Sequence, residues 1–420
     1  MASYIRQRGT LDIYETHGTI YQKIEQACKK VASKYNYKLI QTPMFESTAL
    51  YTRSTGESSD IVTKEMYSFL DKGGRDISLR PEGTAGVIRA VIENKLYATN
   101  DLPLKYFYLG SFFRYERPQA GRYREFMQFG VEVVGSNSYL DDVESICLLA
   151  DILKEVGISD YKVKINSFGN TDCRLKYRDV LKDYFAQYVD SLCGDCKNRL
   201  QVNPLRILDC KIDKDFFMSK DIPTSISSLD EKSKEEFDKV QELLTKANIP
   251  FEIDNRLVRG LDYYTGIIFE FDITSSDGKT YTIGGGGRYS NLVKELGGPD
   301  LNCVGFGLGV NRLSLILEDK FGLDSFKQKA QIYVMPLSEI CIDKAFEITR
   351  SLRDADCSVV MENTKKSVSS MFKYASRQQF NFAIIIGEDE LNNNVVNVKN
   401  LYTQEQVSVS LDKLIEFLRG

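Results

Sequence analysis

Residues 112–135, FFRYERPQAGRYREFMQFGVEVVG, decide the fold. From Phe126 onward the residues alternate in kind. Met127, Phe129, Val131 and Val133 form one set, and Phe126, Gln128, Gly130 and Glu132 the other. A β-strand has a side-chain period of two, so the first set is expected to face a core and the second to line a surface. The incoming strand is expected to behave the same way, with Arg114 and Glu116 on one side and Phe113 and Tyr115 on the other. Between them residues 117–121, RPQAG, hold the turn residues of a hairpin loop. A solvated sheet face could alternate likewise. An amide, a glycine and a carboxylate in line, with Arg114, Arg122 and Arg124 close by, point instead to an anion and a small polar ligand.

Working outward, 420 residues allow two or three domains with sizeable cores. Hydrophobic content of 42% and charged content of 27% are those of a soluble globular chain. No apolar run approaches the ~18 residues that span a bilayer, and the opening MASYIRQRGT has no signal-peptide character. Nine cysteines without secretory features lead us to expect a cytoplasmic protein with free thiols and no membrane association. The formal charge of −4 excludes the overall basic field of many nonspecific nucleic-acid binders, so any nucleic acid must be held by local patches. With His17 the single histidine, chemistry resting on arginines and carboxylates becomes the expectation.

Apolar spacing predicts a helix over 20–34 and a strand over 37–43. A short strand at 77–79 runs into Arg80-Pro81-Glu82-Gly83-Thr84, and a helix follows from about Ala85. Residues 105–134 read as strands, 140–156 as helix and 161–167 as strand. The charged stretch of about 172–247 reads as a helical insertion. Strands resume at 251, 266–273 and 279–283, a tetraglycine at 284–287 follows, and a Gly-rich strand at 303–309 feeds a helix over 311–317. After a linker at 318–329 the pattern becomes alternating strands and helices, which predicts a separate α/β domain from about Ala330 to the end.

The GGGGRY of 284–289 lacks the phosphate-loop spacing, and Gly305-Gly307-Gly309 is not the dinucleotide fingerprint. Glycines there are expected to let backbone pack closely or leave room for a ligand. Cys193-x-x-Cys196 with Cys210 downstream has part of the spacing of a zinc site. No histidine or fourth cysteine nearby completes the usual four ligands, so no metal ligand is assigned and the thiols read as structural or incidental. In RGLDYYTG, 259–266, two adjacent tyrosines are expected to put one ring on each face of an extended segment. Arg312, near the amino end of a helix opening from a glycine-rich strand, would suit phosphate.

Taken together and in this order, these segments resemble the class II aminoacyl-tRNA synthetases, specifically the bacterial-type histidyl-tRNA synthetases. FRYERPQAGRYREFMQFGVEVVG is similar to the second class motif, GFGLGVNRL to the third, and IQTPMFE near Pro43 to the first. LRPEGTAG (79–86), LVRGLDYYTG (257–266) and GGGGRYSNLV (284–293) resemble histidyl-specific blocks. One departure is Asn311, where the family usually has glutamate. The resemblance implies an α+β fold, with an antiparallel catalytic sheet flanked by helices over residues 1–325 and a helical insertion at about 172–247. It also implies a C-terminal α/β anticodon-binding domain over 330–420, in a homodimer joined largely through the first motif.

The implied reaction joins histidine and ATP into histidyl-adenylate, then passes the acyl group to the 3′ end of the histidine tRNA. The resemblance makes Arg259 and Arg114 catalytic, both at the α-phosphate. Arg122 and Arg312, with Mg²⁺, take the distal phosphates; Phe126 stacks on adenine and Glu116 meets its amine. Glu82, Thr84 and Gln128 hold the histidine α-ammonium, while Glu132 and Tyr264 read the imidazole. Tyr263 and Arg259 complete the histidine site, and Gly130 leaves space for the ring. Arg117 and Gln119 touch the tRNA acceptor end. A non-catalytic alternative, the synthetase-like regulatory subunit of ATP phosphoribosyltransferase, generally lacks RGLDYYTG and the anticodon domain; both are present here.

Overall fold

The computed structural model describes residues 4–56, 59–98, 101–213, 216–217, 220–260, 263–327, 331–364 and 366–419. Leu261 and Asp262 of the RGLDYYTG block, and Ala330 at the expected start of the last domain, lie outside these. Backbone contacts divide the chain into two units, Met1–Phe326 and Lys327–Gly420.

The first unit is built on an eight-stranded sheet. Its strands are β1 (Lys38–Leu39), β5 (Leu104–Phe113), β6 (Glu125–Val134), β7 (Lys162–Ser167), β8 (Phe251–Ile253), β9 (Tyr264–Thr274), β10 (Thr280–Tyr289) and β11 (Cys303–Gly309), in the spatial order β1-β5-β6-β11-β10-β9-β7-β8. The five central ladders are antiparallel and the two outermost parallel. A smaller sheet pairs β2 (Phe45–Ser47), β3 (Ser68–Leu70) and β4 (Asp76–Leu79), with β4 in the middle.

The alternation from Phe126 onward sorts as expected. Phe129, Val131 and Val133 are buried on one face with Phe269, Phe271, Phe306 and the helices Glu15–Lys34, Tyr139–Glu155 and Val310–Phe321. The other face carries a second cluster that includes Tyr108, Tyr263, Tyr264, Ile268 and Tyr289.

Several expectations need correction. The hairpin ladder ends at Phe113↔Glu125, so Arg114 and Glu116 sit in the loop and not on a strand. Arg114 N–H still donates across the hairpin to Arg124 O, while the neighbouring backbone is held from outside it: Tyr115 N–H donates to Glu65 O and Arg124 N–H to Gly9 O. The tetraglycine does not follow a strand; it lies inside β10, paired on both sides. The strand expected over 37–43 is ladder-bonded only at Lys38–Leu39. The supposed linker continues the preceding helix to Phe321 and adds a 3₁₀ turn, Leu323–Phe326, because Phe326 is buried in the main core.

Within 172–247 the helices divide between two clusters. Helix Glu231–Lys246 sends Phe237, Val240 and Leu244 into the main core. Thr171–Ala186 and Gly194–Val202 bury Tyr177, Leu181, Phe185, Cys196 and Leu200 in the cluster on the other face. The second unit is a five-stranded sheet over Ile332–Pro336, Val359–Met361, Phe382–Ile386, Val395–Asn400 and Gln406–Ser410. Its first three strands run parallel and the last two antiparallel.

Candidate functional site

The register of the large sheet lays one row of residues across five strands: Tyr108, Gly130, Gly307, Gly285 and Glu270. Three glycines in the middle and bulk at both ends make a shallow trough. A cavity of about 440 Å³ stands over it, lined among others by Glu82, Thr84, Arg114, Arg122, Gln128, Arg259 and Arg312. Gly285 is required by backbone, since a Cβ there would stand 2.5 Å from Phe269 O, and Gly307 leaves room for a side chain. A Cβ on Gly307 would meet Gln128 Nε2 at 1.8 Å, and one on Gly285 would meet Arg259 Nη1 at 2.7 Å. The expected space at Gly130 is filled from within the protein: a Cβ there would stand 2.3 Å from the Tyr108 ring. Gly130 therefore accommodates Tyr108, and not a ligand ring.

At one end the arginines converge. Arg259 pairs with Glu270 and donates to Gly285 O at 3.1 Å. Its Nε is buried and has no hydrogen-bond partner among the described residues. Arg114 donates from Nε to Pro81 O at 2.8 Å and stacks 5.4 Å from the Phe126 ring centre. Glu116 lies between Arg114 and Arg122, at 3.8 and 3.4 Å. Burial, and then the neighbouring charge of Arg122, hold Arg312 below the ordinary arginine pKa. Cations crowded this way favour an anion. Arg124, grouped with them in the sequence, packs 3.7 Å over the Tyr115 ring and does not line the cavity.

At the other end lies a buried polar network. Glu82 accepts from the backbone amides of Thr84 and Ala85 at 2.6 and 2.8 Å, capping the free N–H groups that open helix Thr84–Glu93. Burial raises its pKa against those hydrogen bonds. Glu132 is 1% exposed and lies behind the lining of the cavity. It accepts from Thr84 Oγ1 at 2.7 Å and from the Tyr289 hydroxyl at 2.5 Å. Burial pushes its carboxyl up to about 8, and these hydrogen bonds only partly oppose the shift. The two tyrosines of RGLDYYTG do not point to opposite faces. Their ring centres are 4.7 Å apart, because Tyr263 lies in a turn before β9 begins.

Three residues of this site were missed in the sequence. Tyr289, the last residue of GGGGRY, holds Glu132; Tyr108 fills the trough; Glu270 holds Arg259. A tyrosine closing a glycine run was a usable signal for Tyr289, whereas nothing local marks the other two. Asn311, the departure from the family pattern, has a structural task. Its Oδ1 accepts from Met127 N–H at 2.7 Å and its Nδ2 donates to the Tyr21 hydroxyl at 2.8 Å. Arg117 and Gln119 are exposed at the loop tip, where Gln119 and Arg122 exchange backbone hydrogen bonds.

The family model described as Histidyl-tRNA synthetase matches residues 9–173 and 214–313, and that of the Anticodon binding domain matches 331–420. The Histidine–tRNA ligase of Thermosipho melanesiensis is 43% identical over 413 residues, covering 98% of this chain and 97% of the relative. That of Halalkalibacterium halodurans is also 43% identical, covering 98% and 96%. Among solved structures, apo histidyl-tRNA synthetase from S. aureus is 34% identical with a TM-score of 0.84, and each chain is fully covered.

Proposed function

We infer the working of this pocket from one premise: the chain belongs to the histidyl-tRNA synthetase family. Its activity is that of a histidine–tRNA ligase, with ATP as a substrate. The assignment of residues to tasks is our proposal. The observation that carries it is the polarity of one cavity: arginines with an unpartnered buried N–H at one end, a buried carboxyl–tyrosine network at the other.

ATP lies at the arginine end. In-line attack of the histidine carboxylate on the α-phosphorus spreads negative charge over phosphate oxygens, so fixed donors matter more than a protein base. Arg114 and Arg259, both lining the cavity, meet the α-phosphate. Arg122 and Arg312 take the distal phosphates, with the adenine stacked on Phe126 and its amine at Glu116. Mg²⁺ fits this donor set: Glu116 and Glu270 are carboxylates lining the cavity beside the arginines, and a hard cation uses one or two of these together with substrate phosphates. It would supply neutralisation of the distal phosphate charge.

Histidine lies at the other end. Glu82, Thr84 and Gln128 face its α-ammonium. Neutral imidazole offers one N–H and one acceptor nitrogen. Glu132, whose buried carboxyl keeps its proton up to about pH 8, offers the imidazole an O–H donor along with acceptor capacity beyond Thr84 and Tyr289. Tyr264 supplies the hydroxyl, and Tyr263 shapes the wall. Such polar readout can reject a competitor lacking these groups by ~10⁴. An ATP–pyrophosphate exchange assay across the twenty amino acids tests this division. Exchange with histidine alone is expected; comparable exchange with a non-hydrogen-bonding side chain would refute it.

Arg117 and Gln119 in the exposed loop tip touch the acceptor end of the histidine tRNA, and residues 330–420 read its anticodon. A homodimer is supported by exposed apolar side chains around the first motif: Leu39, Met44 and Phe45, with Phe69 and Leu70 on the same small sheet as Phe45. Phe45→Glu is expected to shift sedimentation from dimer to monomer; an unchanged dimer would place the interface elsewhere. Nine cysteines in the chain suit a reducing cytoplasm. No helix among the described residues is long and apolar enough to cross a membrane.

A further inference from the structure

We propose that Cys193, Cys196, Cys210 and Asp213 bind a structural zinc ion. The ligand atoms of these four residues all lie within 4.8 Å of one another. They come from two matching steps, Cys193-x-x-Cys196 and Cys210-x-x-Asp213, the first at the opening turn of helix Gly194–Val202 and the second just after the turn Pro204–Ile207. The missing fourth ligand of the cysteine motif is therefore a carboxylate, which neither a search for histidine nor one for a fourth cysteine would find.

The spacing suits a closed four-ligand site. Cys193 Sγ and Cys210 Sγ are 3.8 Å apart. Two sulfurs bound to one zinc at about 2.3 Å each, at the tetrahedral angle, stand about 3.8 Å apart. A disulfide would need about 2.05 Å. The ligands are also held in place. Cys193 N–H donates to the Asp213 carboxylate at 3.1 Å, and Asp213 N–H donates to Cys210 Sγ at 3.4 Å. Cys196, Cys210 and Asp213 are buried, so a bound ion would be screened from solvent.

Charge and chemistry agree with this choice. Three thiolates and a carboxylate around a divalent ion leave a net charge of about −2, and the Arg199 guanidinium lies beside Cys196. Soft thiolates select zinc over the oxygen-loving Mg²⁺ that ATP requires. Four protein ligands leave no open position, so the ion braces structure and takes no part in chemistry. It would tie helix Gly194–Val202 to the turn behind it. From that turn Arg206 donates to Gly260 O at 3.2 Å, next to Arg259, and Asp209 lines the ATP cavity. Binding exchanges three thiol protons for one Zn²⁺.

The test uses the full chain purified under reducing conditions, with metal content read by mass spectrometry and cobalt as an optical probe. About one zinc per chain is expected. After chelation, Co²⁺ alone should give thiolate-to-cobalt charge-transfer absorption that saturates at about one equivalent and disappears on adding Zn²⁺. Asp213→Asn, which keeps all three thiols, should weaken zinc binding at least ~10-fold, and Asp213→Cys should restore it as a tetrathiolate cobalt spectrum. A chain that is folded by circular dichroism yet shows no zinc and no cobalt charge-transfer band overturns the proposal. So does a Cys193–Cys210 disulfide in the reduced preparation. Undiminished zinc affinity in Asp213→Asn would remove Asp213 from the ligand set.

Discussion

At one end of the pocket Glu132 is 1% exposed and already holds the hydroxyls of Thr84 and Tyr289. At the other, Arg114, Arg122, Arg259 and Arg312 are half-buried and crowd one another, restrained by Glu116, Glu270 and backbone carbonyls. At the proposed histidine end Glu82, Thr84, Glu132 and Tyr289 have fixed hydrogen-bond partners before any ligand arrives. The ATP end is a set of like charges that is completed by phosphate. On the proposed assignment specificity rests in this buried network, where water is excluded. Rate rests where positive charge waits for the negative charge of the transition state.

The largest expected effect lies at the arginine end. Arg259→Ala should slow histidine-dependent pyrophosphate exchange by roughly 10²–10³, a loss of about 3–4 kcal/mol in barrier stabilisation, while circular dichroism stays unchanged. Wild-type exchange by that variant would take the α-phosphate role away from Arg259.

Next comes the buried end. Glu132→Gln should raise the Michaelis constant for histidine by about a hundredfold, with that for ATP nearly unchanged. Equal rises in both would collapse the distinction between the two ends. The same variant isolates a pH effect. The folded chain keeps the Glu132 proton up to about pH 8, whereas the unfolded chain releases it near the ordinary glutamate value. The stability this proton contributes is therefore complete below the ordinary value and is lost as pH rises towards 8. Melting of the unliganded protein, followed from pH 5 to 8, should fall more steeply in the wild type than in Glu132→Gln. Parallel curves would mean that Glu132 titrates normally.

The smallest change is expected from Tyr289→Phe, which leaves Glu132 in place and removes one donor. A rise of about tenfold in the histidine Michaelis constant, with the rate of exchange at saturating histidine nearly kept, would mark Tyr289 as a positioning residue. A loss of rate as large as that of Arg259→Ala would mean that the two ends cannot be separated.

Much of this was legible in the chain. The alternation beginning at Phe126 put Phe129, Val131 and Val133 in the core, because a strand's period of two is a local property. The alternation expected after the linker appears as strands and helices of the second unit. Motif residues as far apart as Glu82, Gln128, Arg259 and Arg312 were named through the family resemblance and do line one cavity. What sequence could not supply was register and partnership. The row of Tyr108, Gly130, Gly307, Gly285 and Glu270 exists only because four ladders align residues nearly 180 positions apart. That alignment put Tyr108 where a ligand ring was expected beside Gly130, and it made the glycines of β10 and β11 room for Arg259 and Gln128. It also brought Tyr289 to Glu132, while packing within the helical insertion brought Asp213 to three cysteines. Local pattern settles which way a side chain faces. Which side chain meets it there is settled by packing across the sheet and between turns, where distance in space has no relation to distance along the chain.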